Sequence, residues 1–279
     1  MKKYGKRLFV FLLIVALFYL VGVSKKAAVG VQLGLRTAVG SVLPALFPAM
    51  VLSGMVGQLA ECLPLPPALT VWLTSHLCGF PLGVRTMTLS YRRGLLSQKQ
   101  AVGLSAACAN ASPAFLIGLV GEVVLGSKAL GALLFIGQLL LSALFLWISG
   151  ALRAPLRKEP VDRPLLPVLT TSIAAAAKGG LVLCAYITLF SVLAVLLKGM
   201  PGFEYLYGFL EISGGITALP RNESTPFWAA AQVGFSGISV FLQNAAYLLE
   251  DDLPLWPMLI SKMICGLFLP VFLVFFVNL

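Results

Sequence analysis

The sequence predicts an all-α polytopic membrane protein whose two halves repeat one order of segments in inverted orientation. Three observations carry this. The first is composition: of 279 residues, 59% are hydrophobic and 11% charged, with mean hydropathy +0.97, whereas soluble chains carry about 25% charged residues. The second is the placement of basic residues. Lys2, Lys3, Lys6 and Arg7, then Arg92, Arg93 and Lys99, then Arg153, Arg157, Lys158 and Arg163 form short clusters between apolar stretches, as cytoplasmic loops do. The third is a pair of interruptions that occurs twice. Cys78-Gly79-Phe80-Pro81-Leu82-Gly83 and Asn110-Ala111-Ser112-Pro113 are followed by Glu211-Ile212-Ser213-Gly214-Gly215 and Phe235-Ser236-Gly237-Ile238-Ser239. Lipid cannot hydrogen-bond a broken backbone, so such interruptions persist only against protein or a polar cavity. Their pairing across two halves points to a transporter's substrate site.

The elements follow in order. Leu8 to Val23 is apolar behind a basic start. It has the outline of a secretory signal, but Gly22-Val23-Ser24-Lys25 is a poor cleavage site, so residues 1–26 read as a retained transmembrane helix. Ala27 to Val42, amphipathic with Gln32 and Arg36, reads as an interfacial helix. Pro44 opens a second span that ends near Gln58 to Glu61. Ala68 to Cys78 and Val84 to Tyr91, joined at Gly79 to Gly83, are too short to cross twice and read as a re-entrant hairpin. Ser97 starts a helix that breaks at Asn110 to Pro113, where Pro113 removes a backbone donor, and resumes to Leu125. Ala129 to Gly150 is an uninterrupted span.

After a polar linker the order returns. Val168 to Gly180 is an amphipathic segment, Leu181 to Leu197 a span, and Phe203 to Leu219 a short interrupted hairpin. Pro226 to Leu249 is a span broken at its centre, and Leu255 to Val277 is the last span. The chain therefore divides into an N-terminal helix (1–26), a first repeat (27–150), a cytoplasmic linker (151–167) and a second, inverted repeat (168–279). Three crossings per repeat produce the inversion. With the N-terminus inside, the three basic clusters are cytoplasmic, while Lys25, Lys26, Lys128, Lys198 and Arg221 lie outside. The acidic Glu250-Asp251-Asp252 lies inside, where acids weigh little.

Several classes are disfavoured. The net charge of +10 invites nucleic acid as a partner, but the basic residues sit in loops between spans. Five cysteines without a CxxC pair and a single histidine give no metal site. No GxxxxGK[ST] loop supports an ATP-driven pump, and no Ser/His/Asp set or close carboxylate pair supports an enzyme. No cofactor is implied. The partners implied are the lipid bilayer and a small-molecule solute; a homo-oligomer or another membrane protein stays open.

Intramembrane polar residues are the candidate site, because ionisable groups at depth are costly unless they face a polar place. Glu211 precedes the second hairpin's turn, where it contacts substrate, a coupling cation or a proton; alternatively the hairpin is shallow and Glu211 interfacial. His76, three residues before Gly79 as Glu211 is three before Gly214, holds the matching place, or is a structural histidine. Asn110 and Ser112 in one break, and Ser236, Ser239 and Gln243 in the other, offer donors and acceptors beside freed helix ends. The bland reading is interhelical hydrogen bonding. Arg85 pairs with a carboxylate or snorkels to the interface. Glu122, Lys178 and Lys262 are weaker candidates, placed near interfaces or paired with one another. Gly79-x-x-x-Gly83 permits close backbone approach.

Leu43-Pro44-Ala45-Leu46-Phe47-Pro48, Gly79-Phe80-Pro81-Leu82-Gly83, Asn110-Ala111-Ser112-Pro113 and Gly237-Ile238-Ser239-Val240-Phe241-Leu242-Gln243 together resemble the nucleoside-recognition Gate-domain family. Within it they look most like the sporulation integral membrane protein branch of endospore-forming bacteria. The resemblance runs from about Ala27 to the C-terminus. It implies a core similar to that of concentrative nucleoside transporters, in which two hairpin tips and two unwound helices enclose substrate. On this chain those positions are Gly79, Phe80, Pro81, Gly83, Asn110, Ser112, Glu211, Ser213, Gly214, Ser236, Ser239 and Gln243, with His76, Arg85 and Glu211 for coupling or charge pairing. The branch implies dipicolinic acid as solute during sporulation, in a bacterial plasma membrane or the outer forespore membrane. The expectation is a secondary transporter or permease for a small polar, anionic solute. A nucleoside transporter and a non-transporting membrane partner are the alternatives.

Overall fold

The computed structural model describes residues 2–59, 62, 65–153 and 163–277, and these are helical throughout, with no strand among them. Four described helices are long and apolar enough to cross a membrane, and a bent pair makes a fifth. The chain is thus all-α and compatible with an integral membrane protein. Residues 154–162 of the expected linker, with Arg157 and Lys158, lie outside the described residues.

In helix α1 (Lys2–Gly22), from Leu8 to Val21 every large apolar side chain is exposed, as suits a surface meant for lipid. Helix α2 (Ser24–Thr37) continues through a π-helical turn (Ala38–Val42) into α3 (Leu43–Leu59), with a bend of 61°. This path follows α8 (Leu165–Leu197) antiparallel along its length. A Cβ on Gly30 would lie 2.6 Å from Val192 Cα, and one on Gly34 2.5 Å from Thr188 Cα. Ala38 packs with Leu183, Cys184 and Ile187, Met50 with Ala176, and Gln58 donates to Ser172 Oγ at 2.9 Å. The small-residue pair Gly30-x-x-x-Gly34 lets the two backbones approach.

Residues 27–42 lie lengthwise on α8. One expectation is corrected here. Residues 168–180 and 181–197 are not two segments but one helix of 33 residues, roughly 50 Å long at 1.5 Å per residue. Gly179 and Gly180 do not break it. Each lies under a side chain of α3, Met50 and Leu43, and such packing offsets the roughly 1 kcal/mol a mid-helix glycine costs.

Helices α4 (Pro67–Cys78) and α5 (Leu82–Arg92) form the first hairpin. Helix α6 (Gln98–Cys108), started by a capping box of Ser97 and Gln100, ends at a break over 109–113 and resumes as a π-helix, Ala114–Val124. Helix α7 (Lys128–Ser149) leads to a 3-10 turn, Ala151–Arg153. In the second half, α9 (Phe203–Leu210) and α10 (Ile212–Thr217) form the other hairpin. Helices α11 (Thr225–Phe235) and α12 (Ile238–Leu249) are the legs of the second broken helix, and α13 (Trp256–Val277) closes the chain.

Two apolar cores lock the halves together. In one, Val84 and Met87 of the first hairpin meet Leu104 and Ala107 of α6 but also Ala245 and Leu248 of α12. In the other, Ile212 and Ile216 of the second hairpin meet Val233 of α11 but also Leu116 and Val120 of the π-helix. The ends of the bundle are polar. At one, Arg92 donates to Asp251 Oδ1 (2.6 Å) and Glu250 Oε2 (2.7 Å), which raises its guanidinium further above its already high ordinary value. At the other, Arg221 donates to the carbonyls of Val123 and Val124, and Glu122 pairs with Lys128 at 3.2 Å.

Candidate functional site

Each half has one positive-φ glycine where hairpin turn and break meet; in the first half it belongs to the hairpin turn, in the second to the break. Gly79, at φ +74°, ends α4, and a Cβ there would lie 2.7 Å from the amide nitrogen of Ser112 in the first break. Gly237, at φ +80°, opens α12, and a Cβ there would lie 3.0 Å from Gly208 O and 3.3 Å from Ile212 N of the second hairpin. Positive φ is open to glycine at no steric cost. Each hairpin turn therefore sits on the unwound stretch of the broken helix in its own half.

Both turns face one cavity of about 320 Å³. The first hairpin lends Gly79 and Phe80, the first break Ser112, the second hairpin Glu211 and Ser213, and α12 Gln243; Leu46, Leu183 and Ile187 supply apolar wall. Phe80 and Phe115 stand edge to face at 6.0 Å between centroids. Glu211 is 1% exposed. It occupies the turn itself, where its carboxylate accepts from the amides of Ser213 (2.9 Å) and Gly214 (2.6 Å) as the N-cap of α10. Gln243 donates to Ser239 Oγ at 3.2 Å, and its Oε1 has no partner. The ionisable oxygens of the cavity wall are thus those of an acid; among the described residues no Lys or Arg lines it.

A second, smaller cavity of about 180 Å³ adjoins the first at Leu183 and Gln243 and is lined by Pro81, Arg85, Lys178, Tyr247 and Glu250. A third, of about 320 Å³, shares Arg85, Tyr247 and Glu250 with the second and reaches Arg92 and Arg93. The three cavities lie in series between the hairpin turns and the Arg92 end, each sharing wall residues with the next.

Six expected residues line the central cavity: Gly79, Phe80, Ser112, Glu211, Ser213 and Gln243. The others stand elsewhere. Asn110 spends its amide inside the break, donating to Ala107 O (2.6 Å) and Ser142 Oγ (3.3 Å). Ser239 supports Gln243. Gly83 is covered by Ser75 and the carbonyl of Cys108, and Gly214 faces Tyr207. Pro81 and Arg85 line the second cavity. Ser236 lies at φ +71° in the second break, out of the cavity. His76 does not match Glu211. It lies a turn back within α4, its Nδ1 2.9 Å from Trp72 O and its ring 4.7 Å from that of Trp72.

Two residues deserve more weight than sequence assigned them. Gln138, in the middle of α7, was not singled out; it accepts from Ala111 N and donates to Ala111 O, both at 2.9 Å, and so clamps the first break. Lys262 is neither interfacial nor paired with Glu122 or Lys178: it is 5% exposed and donates to Ser236 Oγ at 3.1 Å in the second break. A strongly polar side chain in mid-span is the signal that would have found both. Among the described residues no group of His, Cys, Asp and Glu is placed to hold a metal. Comparison of the chain with family models, with curated proteins and with solved structures returned no match.

Proposed function

We propose that the chain is a secondary transporter or permease for a small polar solute, built as an inverted repeat with a core like that of concentrative nucleoside transporters. The observation that carries this is convergence: two hairpin turns and two broken helices, far apart in sequence, meet at one 320 Å³ cavity. Irregular backbone at depth is costly unless it lines such a place. The antiparallel run of residues 24–59 along 165–197 supports the inversion, since equivalent segments of the two halves face each other. A non-transporting membrane partner has no need of such a cavity, and the site holds no catalytic set, so the protein is read as a non-enzyme of the bacterial plasma membrane or the outer forespore membrane.

The solute's charge divides two readings. The buried acid Glu211 and the Phe80–Phe115 pair favour an uncharged, nucleoside-like solute in the central cavity. Arg85 and Lys178 in the adjoining second cavity favour an anion, with dipicolinic acid the one that the family resemblance implies. Uptake into proteoliposomes of dipicolinate, nucleosides and simple dicarboxylates, with and without ion gradients, tests both. Saturable uptake of one class is the expected result; no uptake of any would favour the scaffold reading.

A further inference from the structure

The second break holds a buried lysine, and among the described residues no acid pairs with it. Lys262 reaches from α13 to Ser236, the residue that ends α11. Ser236 Oγ in turn donates to Val233 O at 3.1 Å, and Ser236 N to Gln232 O at 2.7 Å. The last carbonyls of a half-helix carry partial negative charge, so this place suits a monovalent cation: a hydroxyl oxygen and a helix carboxyl end, inside protein. Among the described residues no carboxylate forms an ion pair with Lys262. An uncompensated charge at depth costs several kcal/mol and does not persist for packing alone. The first break is closed by a neutral group, the amide of Gln138, so a charge is not what a break as such requires.

We infer that Lys262 is a tethered cation: its ammonium holds the position that a free Na+ would take at the α11–α12 break, and the protein binds no Na+ there. On the transporter reading, the consequence is transport that does not depend on Na+. The site itself is tested without transport. Thermal unfolding of the purified protein is followed in NaCl and in choline chloride at equal ionic strength. The wild type should unfold at the same temperature in both. Lys262→Ser removes the ammonium and leaves oxygen ligands around a vacancy, and should gain a saturable, Na+-specific rise of roughly 3 to 5 °C at tenfold excess over its Kd. Lys262→Met, which fills the space without charge, should show none. A Na+-specific rise in the wild type overturns the inference, as does a Lys262→Ser variant that ignores Na+. If Lys262→Ser does not fold, Lys262→Thr, which supplies the same hydroxyl with an added methyl group, is read in its place, and its failure to respond to Na+ overturns the inference equally. Because no flux is measured, failure here leaves the transporter reading standing, and failure of the uptake panel leaves this site standing.

Discussion

Glu211 brings the central cavity its charge while both its oxygens are already engaged by the amides of Ser213 and Gly214. Glu211→Gln keeps the volume but can cap with only one oxygen, a loss on the order of 1 kcal/mol. The variant should express and unfold nearly as the wild type does. Solute flux in proteoliposomes should fall by roughly tenfold or more, the effect of one lost charged contact. Normal flux, or failure to fold, would make the carboxylate a cap and nothing else. At this scale the sequence was legible wherever residue type alone decides. Gly79 and Gly237 announce positive φ, and Glu211 stands out because acids avoid apolar segments. What residue type cannot tell is direction. Asn110 and Ser236 have the chemistry of ligands, yet each donates to a carbonyl of the helix end before its break and bonds a neighbouring helix besides, Ser142 of α7 and Lys262 of α13.

Helix α7 shows what one polar side chain does for an element. Gln138 completes the backbone bonds that the first break leaves open at Ala111. Gln138→Leu would strand a buried N–H and a buried C=O, each costing about 1–3 kcal/mol. The expected result is a lower unfolding temperature in detergent, with Gln138→Glu less affected because its carboxylate can still accept from Ala111 N. Equal unfolding temperatures for both variants would mean that the break is held by packing alone. The hairpins and broken helices were legible as elements because Gly and Pro punctuate them. The unity of α8 was not. Lys178-Gly179-Gly180 reads as a boundary by propensity, and the contacts that keep it helical, from Met50 and Leu43, come from more than a hundred residues earlier. The same long reach hid what residues 27–42 pack against: Gly30, Gly34 and Ala38 meet α8, while Val29, Leu33 and Val39 stay exposed.

The whole molecule is held by exchange between halves, since each hairpin leans on the leg of a broken helix from the other half. Phe80 and Ser213 line the same cavity from different hairpins, so Phe80→Cys with Ser213→Cys should crosslink within one chain through a short bifunctional reagent. Failure of that pair, with control pairs between α3 and α8 succeeding, would refute the shared cavity. The antiparallel run of residues 24–59 along 165–197 also sets a schedule. At about 5–20 residues per second of synthesis, Gly30 and Gly34 are made many seconds before the helix that covers them. In that interval the N-terminal segment stands in the bilayer with its notch against lipid, a substrate for quality-control proteases. A gene cut within 154–162 should therefore yield an N-terminal fragment that is degraded when made alone and accumulates when the C-terminal fragment is made beside it, as pulse-chase labelling would show. Equal lifetimes with and without the second fragment would mean that the early half matures without waiting for the late one.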